Sequence, residues 1–138
     1  MQLEVFEKHL AWQGPFAIQS GLLTVPAPVV EGIYRVCVVE EKYQKNIHGA
    51  TQIVYYGSSK NLTSRLAYFF SAAKGIKNSH SGGKMFYATH KVHGLDLEDL
   101  EYWYCGIQPP MNYERVEKEL LRKYKKVHSV YPFLNRRS

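Results

Sequence analysis

The chain has 138 residues, 45% of them hydrophobic, a size and composition that suit one globular domain with a real core and are too small for two. Its formal net charge of +6 favours a polyanionic partner. No apolar run approaches the roughly 20 residues of a spanning helix, and Met1-Gln2-Leu3-Glu4-Val5-Phe6-Glu7 is acidic where a secretory signal is basic, so a soluble, cytoplasmic protein without a membrane segment is expected.

Residues 1–31 read as an N-terminal extension packed on the core. Gly14-Pro15, Ser20-Gly21 and Pro26-Ala27-Pro28 interrupt any long periodic element, and Leu22, Leu23 and Val25 allow a short edge strand. The β-branched and aromatic runs at 32–40 and 51–56 predict two strands. The polar stretch 41–50, closed by His48-Gly49, joins them as a hairpin with a long loop.

Asn61 is suited to cap a helix running to about Lys74, with Leu62, Leu66, Phe69, Phe70 and Ala73 at helical spacing. Gly75 stops it. Residues 78–83 are small and polar and predict a loop; 84–93 predict a short helix closed by Gly94. The aromatics Tyr102, Trp103 and Tyr104 mark a third strand at 100–107, ended by Pro109-Pro110, and Asn112 suits the cap of a last helix to about Lys126. The tail 131–135 reads as a docked extended segment. The expected fold is α+β: a small three-stranded antiparallel sheet flanked by helices.

Charge is distributed unevenly. Between Lys42 and Leu95 there is no Asp or Glu, while Lys42, Lys45, Lys60, Arg65, Lys74, Lys77, Lys84 and Lys91 are basic; a second cluster, Arg115, Lys118, Arg122, Lys123, Lys125, Lys126, Arg136 and Arg137, ends the chain. A solvated basic surface is the plain alternative. Interleaved aromatics and amides favour a nucleic-acid backbone, with Lys60, Lys74, Lys77, His80, Lys84, Lys91 and Arg122 as the expected contacts. Cys37 and Cys105 form no C-x-x-C pair and read as buried free thiols, neighbours if their strands lie in register.

The segment from Val54 to Leu66 runs from a strand through a Gly turn into a helix that carries Arg65, aiming a tyrosine and a cation at one place. A guanidinium suits bidentate phosphate binding. With Gly32-Ile33-Tyr34 upstream and Tyr55-Tyr56-Gly57 here, followed by Lys60-Asn61-Leu62-Thr63-Ser64-Arg65-Leu66, the chain resembles the GIY-YIG nuclease family. The Lys60 to Leu66 stretch looks very like the N-terminal nuclease domain of the bacterial excision-repair nuclease, and the chain also resembles small stand-alone GIY-YIG endonucleases. Glu117-Lys118-Glu119-Leu120-Leu121-Arg122 and Pro132-Phe133-Leu134-Asn135 resemble the family's later motifs, so the likeness spans about Gly32 to Asn135, within a nuclease domain at 32–138. The hairpin is longer than usual, and Phe69 stands where many members carry His or Tyr. His80 or Lys84 is a substitute for that lost group.

In the last helix, Glu117 falls within the apolar stripe of Tyr113, Val116, Leu120, Leu121, Tyr124 and Val127, whereas Glu119 points away. A carboxylate there needs a cation. A structural ion pair with Arg65 or Arg35 is one partner; the resemblance implies a divalent ion, Mg²⁺ or Mn²⁺, held by Glu117. It likewise implies catalytic roles for Tyr34, Tyr55, Arg65, Glu117 and Asn135 in one-metal hydrolysis of DNA phosphodiesters. Tyr34 is assigned as base and Tyr55 as positioning group, with the reverse assignment open. Asn135 either pins the tail beside the site or is only a turn residue. A module that binds nucleic acid on the same fold but has lost cleavage is the alternative. Double-stranded or structured DNA is the expected partner, and oligomeric state is left open. His90 and His93 share a helix face but lack further zinc ligands.

Overall fold

The computed structural model describes residues 1–18 and 30–135. Four strands form one antiparallel sheet in the order β1-β4-β2-β3: β1 Gln13–Ala17, β2 Gly32–Val38, β3 Ile53–Ser59 and β4 Leu100–Gly106. Four α-helices accompany it, α1 Leu3–His9, α2 Leu62–Ala73, α3 Ser81–Thr89 and α4 Tyr113–His128. The α+β arrangement agrees with expectation; the strand count does not. β1 comes from the segment read as an extension, and it pairs with β4 through Gln13 opposite Tyr104 and Phe16 opposite Tyr102. The register shifts between Gln13 and Phe16, where Pro15 brings no N–H to the ladder. The strand expected at Leu22 to Val25 lies outside the described residues.

β2 is central, flanked by β3 and β4, and its two faces supply two cores. Tyr34, Val36 and Val38 face a cluster with Leu62, Leu66, Phe69, Phe70 and Phe86 from α2 and α3. Ile33 faces the other, with Leu3 from α1 and Val116, Leu120, Leu121 and Tyr124 from α4. Covering both faces explains why the strand is apolar nearly throughout. Arg35 is the exception. Its guanidinium lies between the rings of Trp12 and Trp103, at 4.3 and 4.8 Å, and donates to Glu7 Oε2 at 2.6 Å. Tyr56 donates to the other oxygen of Glu7, so α1 is fixed to the sheet by a shared carboxylate.

The caps of α2 and α4 are as expected: Asn61 Oδ1 accepts from the Ser64 N–H at 3.2 Å and Asn112 Oδ1 from that of Arg115 at 3.0 Å. The third helix begins earlier than 84 and ends at Thr89. Its cap is His80, whose Nδ1 accepts from the Gly83 N–H at 3.1 Å, so part of the predicted loop is helical. In the tail, the Leu134 N–H donates to the Val54 carbonyl at 2.9 Å. Asn135 meets Tyr56 with both ends of its amide: Oδ1 accepts from the Tyr56 N–H at 2.8 Å and Nδ2 donates to its carbonyl at 2.9 Å.

Cys37 and Cys105 are buried free thiols. They are not neighbours, since Cys37 lies opposite Glu101 and Cys105 opposite Ile33. Among the described residues no helix is long and apolar enough to cross a membrane.

Candidate functional site

Pairing of β2 with β3 sets Tyr34 opposite Gly57, and the missing side chain is what lets the phenol lie across the strand. A Cβ at Gly57 would stand 2.3 Å from Tyr34 Cζ and 2.5 Å from its hydroxyl oxygen. Tyr55 reaches the same face, its ring 5.9 Å from that of Tyr34. At the start of α3, Gly82 makes room for it, because a Cβ there would lie 2.5 Å from Tyr55 Cε1. Two glycines therefore shape a pocket for two phenols.

His80 closes this pocket. It is fully buried, and its ring stands 5.4 Å from Tyr55 and 5.1 Å edge-on from Phe69. Its Nε2 lies 2.6 Å from the Tyr34 hydroxyl. Because Nδ1 accepts the Gly83 N–H, the neutral ring carries its proton on Nε2 and donates it to the Tyr34 oxygen. Burial, reinforced by the Arg65 charge, pushes the imidazole down to about 3, so it is neutral at physiological pH. His80 was expected to touch nucleic acid; with both nitrogens occupied inside the protein, it serves the site through Tyr34. It stands beside Phe69, the position where the resemblance lacked a polar group.

Burial pushes the Tyr34 hydroxyl well above its usual range; Tyr55 and Glu117 act in the same direction, while Arg65 opposes them. Tyr34 is completely enclosed. Tyr55 is also buried, with 7% of its surface exposed. Burial and Glu117 raise it too, but Arg65, Tyr34 and Ser81 all lower it. Hydrogen bonding thus stabilises an oxyanion on Tyr55 at the expense of one on Tyr34. Arg65 and Glu117 bear on both phenols with opposite sign, so a cation from the helix after β3 and an anion from the last helix both lie within electrostatic reach of the pair.

Glu117 is half-buried on α4 and accepts a hydrogen bond from the Ser58 hydroxyl at the end of β3. Arg35, considered as its ion-pair partner, is instead held by Glu7. Glu119 points away as expected and pairs with Arg122 and Lys123. Asn135 spends its amide on the Tyr56 backbone, which assigns it to holding the tail against β3. Lys60, Lys77, Lys84, Lys91 and Arg122 are exposed and Lys74 is half-buried. His90 and His93 donate from Nδ1 to the carbonyls of Leu95 and Ile47. Among the described residues no group of three or more His, Cys, Asp or Glu side chains is placed to hold a metal.

Two contacts at the site escape sequence reasoning, those of His80 with Tyr34 and of Ser58 with Glu117, which join residues 46 and 59 positions apart. No family model, curated protein or solved structure matches the chain.

Proposed function

We propose that this chain is a divalent-metal-dependent endonuclease of the GIY-YIG kind that hydrolyses DNA phosphodiester bonds. The observation that carries the reading is the pair of phenols Tyr34 and Tyr55, their rings 5.9 Å apart where Gly57 makes room, with Arg65 and Glu117 both within electrostatic reach, in the chain order of the motifs. Arg65 receives the phosphate and balances charge that develops on its equatorial oxygens. Tyr55, as the phenolate that Arg65 and the hydrogen bonds from Tyr34 and Ser81 favour, takes the proton of the attacking water and becomes a phenol; Tyr34, fixed by His80, orients and stabilises Tyr55.

Glu117 and the Ser58 hydroxyl suit a hard cation of the Mg²⁺ type, which is commonly held by one or two carboxylates with water and substrate phosphate oxygens completing its shell. Bound there, an ion of this kind would supply Lewis-acid stabilisation of the leaving 3′ oxygen. With Glu117 as its one assigned carboxylate, a single ion is proposed.

The enclosure of Tyr34 and the raised phenols favour a second reading, a DNA-binding module without cleavage. Incubating the protein with supercoiled plasmid and Mg²⁺, Mn²⁺ or chelator separates the two. The nuclease reading expects metal-dependent nicking, lost in Glu117→Gln and Arg65→Ala while Glu117→Gln still binds DNA. Binding without nicking by the wild type selects the module, and nicking by Glu117→Gln at the wild-type rate removes the metal assignment.

A further inference from the structure

α4 carries more than Glu117. A groove of about 640 Å³ runs beside the helix, with Ser58, Glu114 and Glu117 at one end and Lys125, Lys126 and Tyr131 at the other; Lys118 and Arg122 line it between them. Residues 118, 122, 125 and 126 recur on one side of the helix because three- and four-residue steps return to the same face. Arg122 is partly neutralised, since its guanidinium makes two hydrogen bonds to Glu119 at 2.9 and 3.0 Å. Lys118, Lys125 and Lys126 are exposed and have no acidic partner among the described residues. Lys125 is held over the ring of Tyr131 at 4.8 Å, on the groove wall.

We propose that this groove is a nucleic-acid backbone track: the strand whose phosphate reaches Glu117 continues along α4, held by Lys118, Lys125 and Lys126. At about 1.5 Å rise per residue the track from Lys118 to Lys126 is about 12 Å long. That is the axial length of three to four phosphates on one strand of B-DNA, at about 3.4 Å each. The carboxylates of Glu114 and Glu117 leave the lysine end of the groove as the favourable path for the phosphates. The inference rests on the nuclease reading only for the phosphate placed at Glu117; the cationic track stands on its own charges. It separates the two basic regions of the chain, giving α4 the strand backbone ahead of Lys77, Lys84 and Lys91 around α3.

The test is the salt dependence of binding to a labelled 30-base-pair duplex, read by fluorescence anisotropy in chelator, so that cleavage does not intervene. Lys118→Gln, Lys125→Gln and Lys126→Gln are combined in one variant, and Lys77→Gln, Lys84→Gln and Lys91→Gln in a control. Thermal melting establishes that both are folded. With about 0.9 unit of slope in log affinity against log salt per lost phosphate contact, the α4 variant is expected to lose roughly 2.7 units. Between 50 and 200 mM salt, wild-type affinity then falls about 40-fold more than that of the variant, and the control changes less. A wild-type slope in the α4 variant overturns the proposal, as does a wild-type protein that does not bind the duplex. Metal-dependent nicking with an unchanged slope overturns the track and leaves the nuclease reading; a reduced slope without any nicking does the reverse.

Discussion

The imidazole of His80 donates to the Tyr34 hydroxyl at 2.6 Å inside the protein, while its other nitrogen caps α3. One buried side chain thus fixes both a helix start and a phenol. His80→Asn separates the two duties, because Asn is a good helix cap but too short to stand in for Nε2. It should cost about 1–3 kcal/mol in urea denaturation, the range for a buried polar group that loses its partner. Retention of wild-type stability would show that the Tyr34 contact contributes nothing.

The same histidine sets a pH dependence. Its folded value, about 3, lies below the ordinary 6.5, so between those values the unfolded chain binds the extra proton. Stability therefore rises with pH across this window and is lost on acidification, with a slope of up to about 1.4 kcal/mol per pH unit. Above pH 7.5 His80 contributes no slope. Denaturation midpoints measured from pH 4 to 8 should be flatter for His80→Asn than for the wild type.

Gly57→Ala places a methyl group where the Tyr34 ring lies. Overpacking of this kind costs about 1–3 kcal/mol, and displacement of the phenol should abolish nicking. A near-ultraviolet circular dichroism spectrum unchanged in the tyrosine region, with unchanged activity, would show that the ring has room to move.

Ser58→Ala removes the hydroxyl that orients Glu117. If Glu117 holds the metal, the Mg²⁺ concentration for half-maximal nicking should rise tenfold or more, as for other groups that orient a ligand. Activity at saturating metal should stay near wild type. An unchanged titration midpoint would limit Ser58 to a structural part.

Glu7→Ala leaves Arg35 and Tyr56 without their common acceptor. Stranding a largely buried guanidinium costs about 3–5 kcal/mol, measurable as a shift in the urea midpoint. Glu4→Gln, on the exposed side of α1, should change stability by less than about 0.5 kcal/mol.

Much of this arrangement is legible in the sequence where local chemistry and tertiary structure agree. Asn61 and Asn112 cap the helices they were expected to cap, and the apolar spacing of α2 and the aromatic run of β4 match their burial. β1 escapes because Gly14-Pro15 breaks the pattern of a strand, and only pairing with β4 makes it one. α3 escapes at its start because histidine is an unusual cap and Gly82 is a poor helix former, kept there by the Tyr55 ring. At the site, the tyrosines, Arg65 and Glu117 stand out through their motif spacing. The contacts of His80 and Ser58 depend on the packing of α3 and α4 across the sheet, which no local pattern encodes.

Asn135 also has a consequence for the chain's behaviour among its own copies. Among the described residues β3 is the outermost strand on its side of the sheet, and the Asn135 amide bonds the Tyr56 N–H and carbonyl as the peptide group of a further strand would. A protein cut back to Leu134 would present the Tyr56 N–H and carbonyl to any passing strand, an invitation to edge-to-edge association. Light scattering on that truncation, or on Asn135→Ala, should reveal aggregation at concentrations where the full chain stays dispersed. Together with the Leu134 N–H on the Val54 carbonyl, a side-chain amide therefore does the work of a further strand in keeping the sheet finite.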